Sequence, residues 1–214
     1  MSVADGYLRP RWRGKIHLGA FGASLLAVPA LVSLADSTAS LVGLTVYGLS
    51  LVALFGTSAA YHLLARSDKA QQVMRRLDHS MIFIQIAGTY TPVCLLALPA
   101  RWGTPILVVI WSVAVLGIAV KLSAGLRVLR ASNALYAVMG FVALGALPVI
   151  LSHLTAGEFV LLAAGGVFYT VGAILFAIRW PALRPAVFGF HEVWHAFTVV
   201  AALAHFALVW LVAT

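Results

Sequence analysis

Seven long runs of apolar residues, nearly free of charged side chains, most restrict how this chain can fold. They cover residues 17–35, 41–64, 79–98, 105–122, 132–152, 158–178 and 189–212. A helix needs roughly 20 apolar residues to cross the hydrocarbon core of a bilayer, and each run is close to that length. Only 9% of the residues are charged, against about 25% in soluble globular chains. The sequence therefore predicts an all-α integral membrane protein with seven transmembrane helices.

The Lys and Arg residues predict how the helices are oriented. Thirteen of the fourteen lie on one predicted side: before the first run, at the junctions of the second and third and of the sixth and seventh runs, or, counting Lys121 at the end of the fourth run, at the junction of the fourth and fifth. Only Arg101 falls on the other side. Such residues accumulate in cytoplasmic loops, so we expect a cytoplasmic N-terminus and an outside C-terminus. The predicted domains are a basic cytoplasmic segment, residues 1–16, and one membrane domain, residues 17–214. The net charge of +8 is then explained by the membrane topology and by attraction to anionic lipid headgroups. We therefore expect no nucleic acid as a partner.

The motif His-Glu-Val-Trp-His at residues 191–195, near the start of the seventh run, is the clearest candidate for a functional site. Histidines four positions apart share one face of a helix, so both imidazoles can reach a single metal ion. The single cysteine, Cys94, excludes a cysteine cluster, and nitrogen and oxygen atoms must therefore hold any metal. Polar residues are costly at membrane depth, which favours a functional role for the pair.

A third histidine is expected at the same end of the bundle. His62 lies near the end of the second run, and Ser58 lies one turn deeper on the same helical face. His62, His191 and His195 would supply three nitrogen ligands to a tetrahedral zinc ion, with water as a nucleophile in the fourth position. Spacing alone does not name the metal, because imidazole also suits copper, iron and nickel.

Two further polar residues, Asp78 and His79, open the third run. Asp78 can orient the water, accept its proton or bond a ligating imidazole, and the sequence does not choose among these roles. Its simpler interpretation is a helix N-cap or a partner of Arg75 or Arg76. His79 points about 100° away from Asp78, which disfavours it as a ligand. His205 is too deep in the seventh run to join the site, and His17 and His153 are interpreted as interfacial residues.

A membrane-embedded protease is an alternative, because His-Glu-x-x-His is also the zinc motif of metalloproteases, in which the Glu is the general base. Intramembrane proteases of this kind take a further carboxylate ligand from downstream. This chain has no Asp or Glu after Glu192, which argues against a protease. Glu192 also fits a simpler role at the helix N-terminus, where the dipole favours a carboxylate.

Four motifs together resemble the hemolysin III branch of the progestin and adipoQ receptor family. They are Ser58-Ala59-Ala60-Tyr61-His62, Arg76-Leu77-Asp78-His79-Ser80-Met81-Ile82-Phe83, Ala87-Gly88-Thr89-Tyr90-Thr91-Pro92 and His191-Glu192-Val193-Trp194-His195. The resemblance covers nearly the whole chain. It implies a multi-pass protein of the cell inner (plasma) membrane, with Zn²⁺ near the inner leaflet. The receptor members bind this ion through histidines that match His62, His191 and His195, with Asp78 and Ser58 at matching nearby positions.

The resemblance also implies a function. Receptor members are associated with hydrolysis of ceramide, a lipid amide, through a zinc-bound water, and bacterial members are named for haemolysis and linked to membrane homeostasis. We therefore expect a zinc-dependent hydrolase of a lipid amide or ester, with a membrane lipid as substrate, Asp78 as base or anchor and Ser58 as hydrogen-bond donor. The alternatives are a non-enzymatic membrane sensor with structural zinc and Asp78 as fourth ligand, or a pore-forming haemolysin. Adiponectin receptors have Gln at the position of Glu192 and a long N-terminal region, which argues against a hormone-receptor role here.

Overall fold

The computed structural model describes residues 10–123, 132–181 and 183–214, whose regular secondary structure is helical apart from one isolated β-bridge. The helices are α1 (Lys15–Val32), α2 (Thr38–Leu64), α3 (Asp68–Pro92, continued by a π-helical turn, Val93–Ala97), α4 (Ala100–Ser123), α5 (Ala134–Gly145), α6 (Leu147–His153), α7 (Ala156–Ala177) and α8 (Phe190–Ala213).

Among the described residues, six helices account for six of the seven predicted membrane spans. Helices α1, α2, α3 with its π-helical turn, α4, α7 and α8 are each long and apolar enough to cross a membrane. Helices α5 and α6, which cover the fifth apolar run, are bent by 59° relative to each other and form either one broken span or a re-entrant loop. The bend follows from Pro148, which has no N–H to donate to the preceding turn of helix. The next helix starts at the Ala146 carbonyl, which accepts hydrogen bonds from the N–H groups of Val149 and Ile150. The all-α, multi-pass fold is confirmed, while the cytoplasmic placement of the N-terminus stays a prediction.

Helix α3 begins at Asp68, well before the third apolar run. The hydroxyl oxygen of Ser67 caps it by accepting the Ala70 N–H at 3.2 Å. The first turns of α3 carry several charged residues, so hydropathy does not reveal them as helix. The prediction that Asp78 and His79 open this helix is therefore wrong, and a role for Asp78 as its N-cap is excluded.

Helix α8 contacts helices from both the beginning and the end of the chain. It packs along α7, where Gly165 leaves room for the ring of His205, and against α1 and α2 in an apolar core. That core contains Leu31, Leu44, Tyr47, Leu51, Leu54, Phe55, Ala202 and Val209. This arrangement brings the C-terminal end of α2 to the N-terminal ends of α1 and α8.

Candidate metal centre

The three histidines predicted as metal ligands form one group at this end of the bundle. His62, His191 and His195 each offer a ring nitrogen, and these atoms all lie within 4.8 Å of one another. His62 and His195 are buried and His191 is half-buried. The structure thus brings together, from α2 and α8, a donor group that can hold a metal ion.

One distance within the group matches the spacing of two ligands on a tetrahedral metal ion. Two nitrogen atoms, each about 2.0–2.1 Å from zinc, lie about 3.3 Å apart at a tetrahedral angle, and the Nε2 atoms of His62 and His191 are 3.2 Å apart. The ring planes of His191 make angles of 89° with His62 and 69° with His195, so these rings do not stack and their edges can face a common point. The Nδ1 atom of His195 is buried with no hydrogen-bond partner in the described part of the chain, as expected of a site that a ligand completes.

Asp78 and Ser58 lie together on the neighbouring faces of α3 and α2. The Ser58 hydroxyl is close enough to the half-buried Asp78 carboxyl group for the two side chains to interact, and Ser58 itself is buried. Among the described residues, however, the group that can hold a metal contains three histidines and no carboxylate. Asp78 is therefore not one of the residues whose donor atoms lie within 4.8 Å of one another.

Glu192 is engaged outside the histidine group. One carboxylate oxygen accepts the Gly189 N–H at 2.8 Å, and the other pairs with the guanidinium group of Arg13. The residue lies in the first turn of α8 and is completely buried, which confirms its placement at a helix N-terminus. Because both oxygens have partners, the geometry does not fit a general base of the metalloprotease kind.

His17 is a neighbour of the centre that the sequence did not indicate. The interpretation of His17 as interfacial is wrong, because only 3% of the residue is exposed. Its ring stacks on His195 with centroids 3.9 Å apart and planes within 10°, and Phe55 meets it edge-on at 5.1 Å. A lone histidine at the start of an apolar run looks the same in the sequence whether it faces headgroups or the bundle interior. The one available signal is its position at the same predicted end as the other histidines.

The other described histidines lie outside the group, as predicted. The His79 carbonyl accepts a hydrogen bond from the Tyr136 hydroxyl at 2.7 Å. Deeper in the bundle, the Nε2–H of His205 donates to the Leu162 carbonyl at 3.3 Å. His153 is exposed at the end of α6.

Apolar surface reaches the edge of the histidine group. The Phe176 ring, at the end of α7, meets the His191 ring edge-on with centroids 5.3 Å apart. Phe176 is 37% exposed, and Leu64, two residues after His62, is 72% exposed. Phe176 therefore places exposed apolar surface directly beside His191.

Comparisons with known proteins agree with the fold and the motifs. A family model described as haemolysin-III related matches residues 6–206, a range that contains all four motifs. Hemolysin-3 of Bacillus cereus is 36% identical over 182 residues, which cover 82% of this chain and 80% of that protein. The Hemolysin-3 homolog of Bacillus subtilis (strain 168) is 33% identical over 188 residues, or 85% of each chain. The chain therefore belongs to the haemolysin-III related family of membrane proteins.

Proposed function

We propose that this protein is a zinc-dependent membrane hydrolase that acts on a lipid amide or ester. The observation that supports the proposal most is the group of three histidines with no carboxylate among the described residues that form it. Three protein ligands and an open position are the arrangement of catalytic zinc, whereas structural zinc takes four protein ligands.

The chemistry divides between the ion and two side chains. When bound by the three histidines, zinc supplies Lewis-acid chemistry that activates water as a nucleophile and polarises a carbonyl group. Asp78 would accept a proton from the attacking water and deliver it to the leaving nitrogen or oxygen as the acyl C–N or C–O bond breaks. The hydroxyl of Ser58, beside the Asp78 carboxyl group, would donate a hydrogen bond to that carboxylate or to the developing oxyanion.

A lipid substrate is supported by the position of the centre. Its ligands lie on membrane-spanning helices, α2 and α8, and its half-buried ligand, His191, is bordered by the exposed apolar side chain of Phe176. A lipid would reach the metal laterally from the bilayer, with its acyl chains against such side chains and its amide or ester at the level of the histidines.

The direct test is an assay of fatty-acid release by the zinc-loaded protein in detergent. Candidate substrates are ceramide, as a lipid amide, and diacylglycerol and phospholipids, as esters. We expect release by the wild type, loss of release in His195→Ala and Asp78→Asn, and wild-type release in the control His153→Ala, which changes an exposed histidine. Zinc-loaded wild type that releases no fatty acid from any of these lipids would contradict the proposal.

A second candidate is a regulator of membrane state in which zinc is structural. It is favoured because the ligands come from two helices, α2 and α8, that are far apart in the chain. An ion held by His62 and His195 would connect these two helices. This function predicts that a fourth protein ligand completes the site. Loss of zinc in Asp78→Ala would support it over the hydrolase.

A haemolytic function is suggested by the name of the Bacillus cereus relative, Hemolysin-3. A pore needs a polar path across the whole membrane. Here the end of α2 and α8 opposite the histidines packs in an apolar core that includes Leu44 and Val209, both fully buried. Conductance of the purified protein in planar bilayers would favour a pore over the hydrolase.

A further inference from the structure

Residues 10–17, here named the N-terminal strap, run beside the metal centre and contact the segment that leads into α8. The Arg11 N–H donates to the Ala186 carbonyl at 3.1 Å, and the Trp12 N–H donates to the Val187 carbonyl at 3.2 Å. These bonds involve the backbone alone. They hold the strap against the loop before the helix that carries two of the three histidines.

The side chain of Arg13 extends this attachment into the first turn of α8. Its guanidinium group pairs with Glu192, which is completely buried, while the Arg13 side chain is 20% exposed. A buried carboxylate that loses its partner destabilises its surroundings strongly, so the ion pair fixes the position of Glu192. His191 directly precedes Glu192 and His195 follows within one turn, so fixing this turn orients both ligands.

The strap also contacts a ligand on each of the two helices. Gly14 has a φ of 80°, and a Cβ atom at this position would lie 2.7 Å from the Cβ of His62, so only glycine allows the backbone to approach so closely. Three residues later, the ring of His17 stacks on His195. The strap therefore touches α2 through Gly14 and α8 through Arg13 and His17.

We propose that the strap orients the histidines of the metal centre, and that Arg13 and His17 are its positioning residues. The inference rests on the metal centre of the proposed function. His17 is not a ligand in this arrangement, because stacked rings with centroids 3.9 Å apart direct their nitrogen lone pairs into separate, nearly parallel planes. Side chains that orient ligating histidines lower metal affinity about 10–100-fold when they are removed.

The first test compares variants of the ion pair with matched controls in the full chain, purified in detergent. Zn²⁺ affinity is measured by competition with a chromophoric chelator, and the ligand geometry is followed by the visible absorption of bound Co²⁺. Arg13→Gln and Glu192→Ala should bind Zn²⁺ about 10–100-fold more weakly and change the Co²⁺ spectrum. One control is Arg11→Gln, which changes an exposed residue of the same strap. The other is Glu158→Ala, which removes a glutamate with the same capping role at the start of α7. Both controls should bind Zn²⁺ as the wild type does.

The second test separates ring stacking from other effects at His17. Phenylalanine keeps an aromatic ring against His195, whereas alanine removes it. His17→Phe should retain the wild-type affinity for Zn²⁺, and His17→Ala should bind about 10-fold more weakly. This pair decides the question even where Arg13→Gln does not fold, as judged by circular dichroism.

The outcomes distinguish this inference from the function on which it rests. Wild type that binds Zn²⁺ while folded Arg13→Gln, Glu192→Ala and His17→Ala bind it equally well would overturn the role of the strap and leave the metal centre intact. Wild type that binds no Zn²⁺ would overturn both. Weaker binding in these three variants, with wild-type binding in the two controls and in His17→Phe, would establish the strap as part of the centre.

Discussion

Replacing Gly14 with alanine should destabilise the protein and disturb the metal centre. Gly14 has a φ of 80°, a left-handed conformation that costs a residue with a Cβ roughly 1–2 kcal/mol. The added Cβ would also lie 2.7 Å from the Cβ of His62 and 3.2 Å from the Cγ of Leu63, and overpacking of this kind costs about 1–3 kcal/mol. The two effects together predict a loss of about 2–5 kcal/mol in the free energy of unfolding.

Thermal unfolding in detergent measures this loss, and chelator competition measures the accompanying change in Zn²⁺ affinity. We expect the Tm of Gly14→Ala to fall by at least about 4 °C and its Zn²⁺ affinity to fall about 10-fold or more, because the displaced neighbour is a ligand. The control is Gly19→Ala in α1, where a Cβ meets no atom within 4 Å and where alanine favours the helix by up to about 1 kcal/mol. Gly14→Ala that is as stable as Gly19→Ala and binds zinc like the wild type would refute this reasoning.

Three further predictions follow from the site and the helix contacts. Asp78→Asn should keep zinc but lose fatty-acid release by about 100-fold or more, because a base and not a ligand is removed; metal analysis and the lipid assay on one preparation check this. Zinc at about 100 times its Kd should stabilise the wild type by about 2.7 kcal/mol and leave the Tm of His195→Ala unchanged, which a thermal shift assay with and without a chelator measures. Gly165→Ala would place a Cβ against the buried ring of His205, and the overpacking cost of about 1–3 kcal/mol should lower the Tm without changing the zinc content. The control Gly166→Ala, whose Cβ would meet open space, should not lower the Tm. Equal Tm values for the two variants would contradict the packing of His205 against Gly165.

The sequence was sufficient for the main features of the fold because a bilayer constrains helices so strongly. Apolar runs of spanning length correspond to the helices of the structure, and the histidine spacing in the motif at residues 191–195 is fixed by the geometry of one helix. His62 joins that pair in space, as the shared predicted end of the bundle indicated. The sequence could also place Glu192 in the first turn of α8, since a carboxylate is favoured at a helix N-terminus.

The features that the sequence did not reveal depend on contacts between distant residues or on polar helix turns. The start of α3 at Asp68 could not be predicted from hydropathy, because the first turns of the helix are charged and precede the apolar run. Pro148 was a local signal for the bend between α5 and α6, but an apolar run by itself does not specify the angle between two helices. The stacking of His17 on His195 joins residues from opposite ends of the chain, and no periodicity within either helix encodes it.

The central claim is that His62, His191 and His195 hold one metal ion and leave a coordination position open. Mass spectrometry of the metal in detergent-purified wild type, His62→Ala, His195→Ala and Asp78→Ala tests it most directly. We predict about one zinc ion per chain in the wild type and in Asp78→Ala, and no zinc in the two histidine variants. Loss of zinc in Asp78→Ala would show a closed site, and wild type without any metal would contradict the account of this centre.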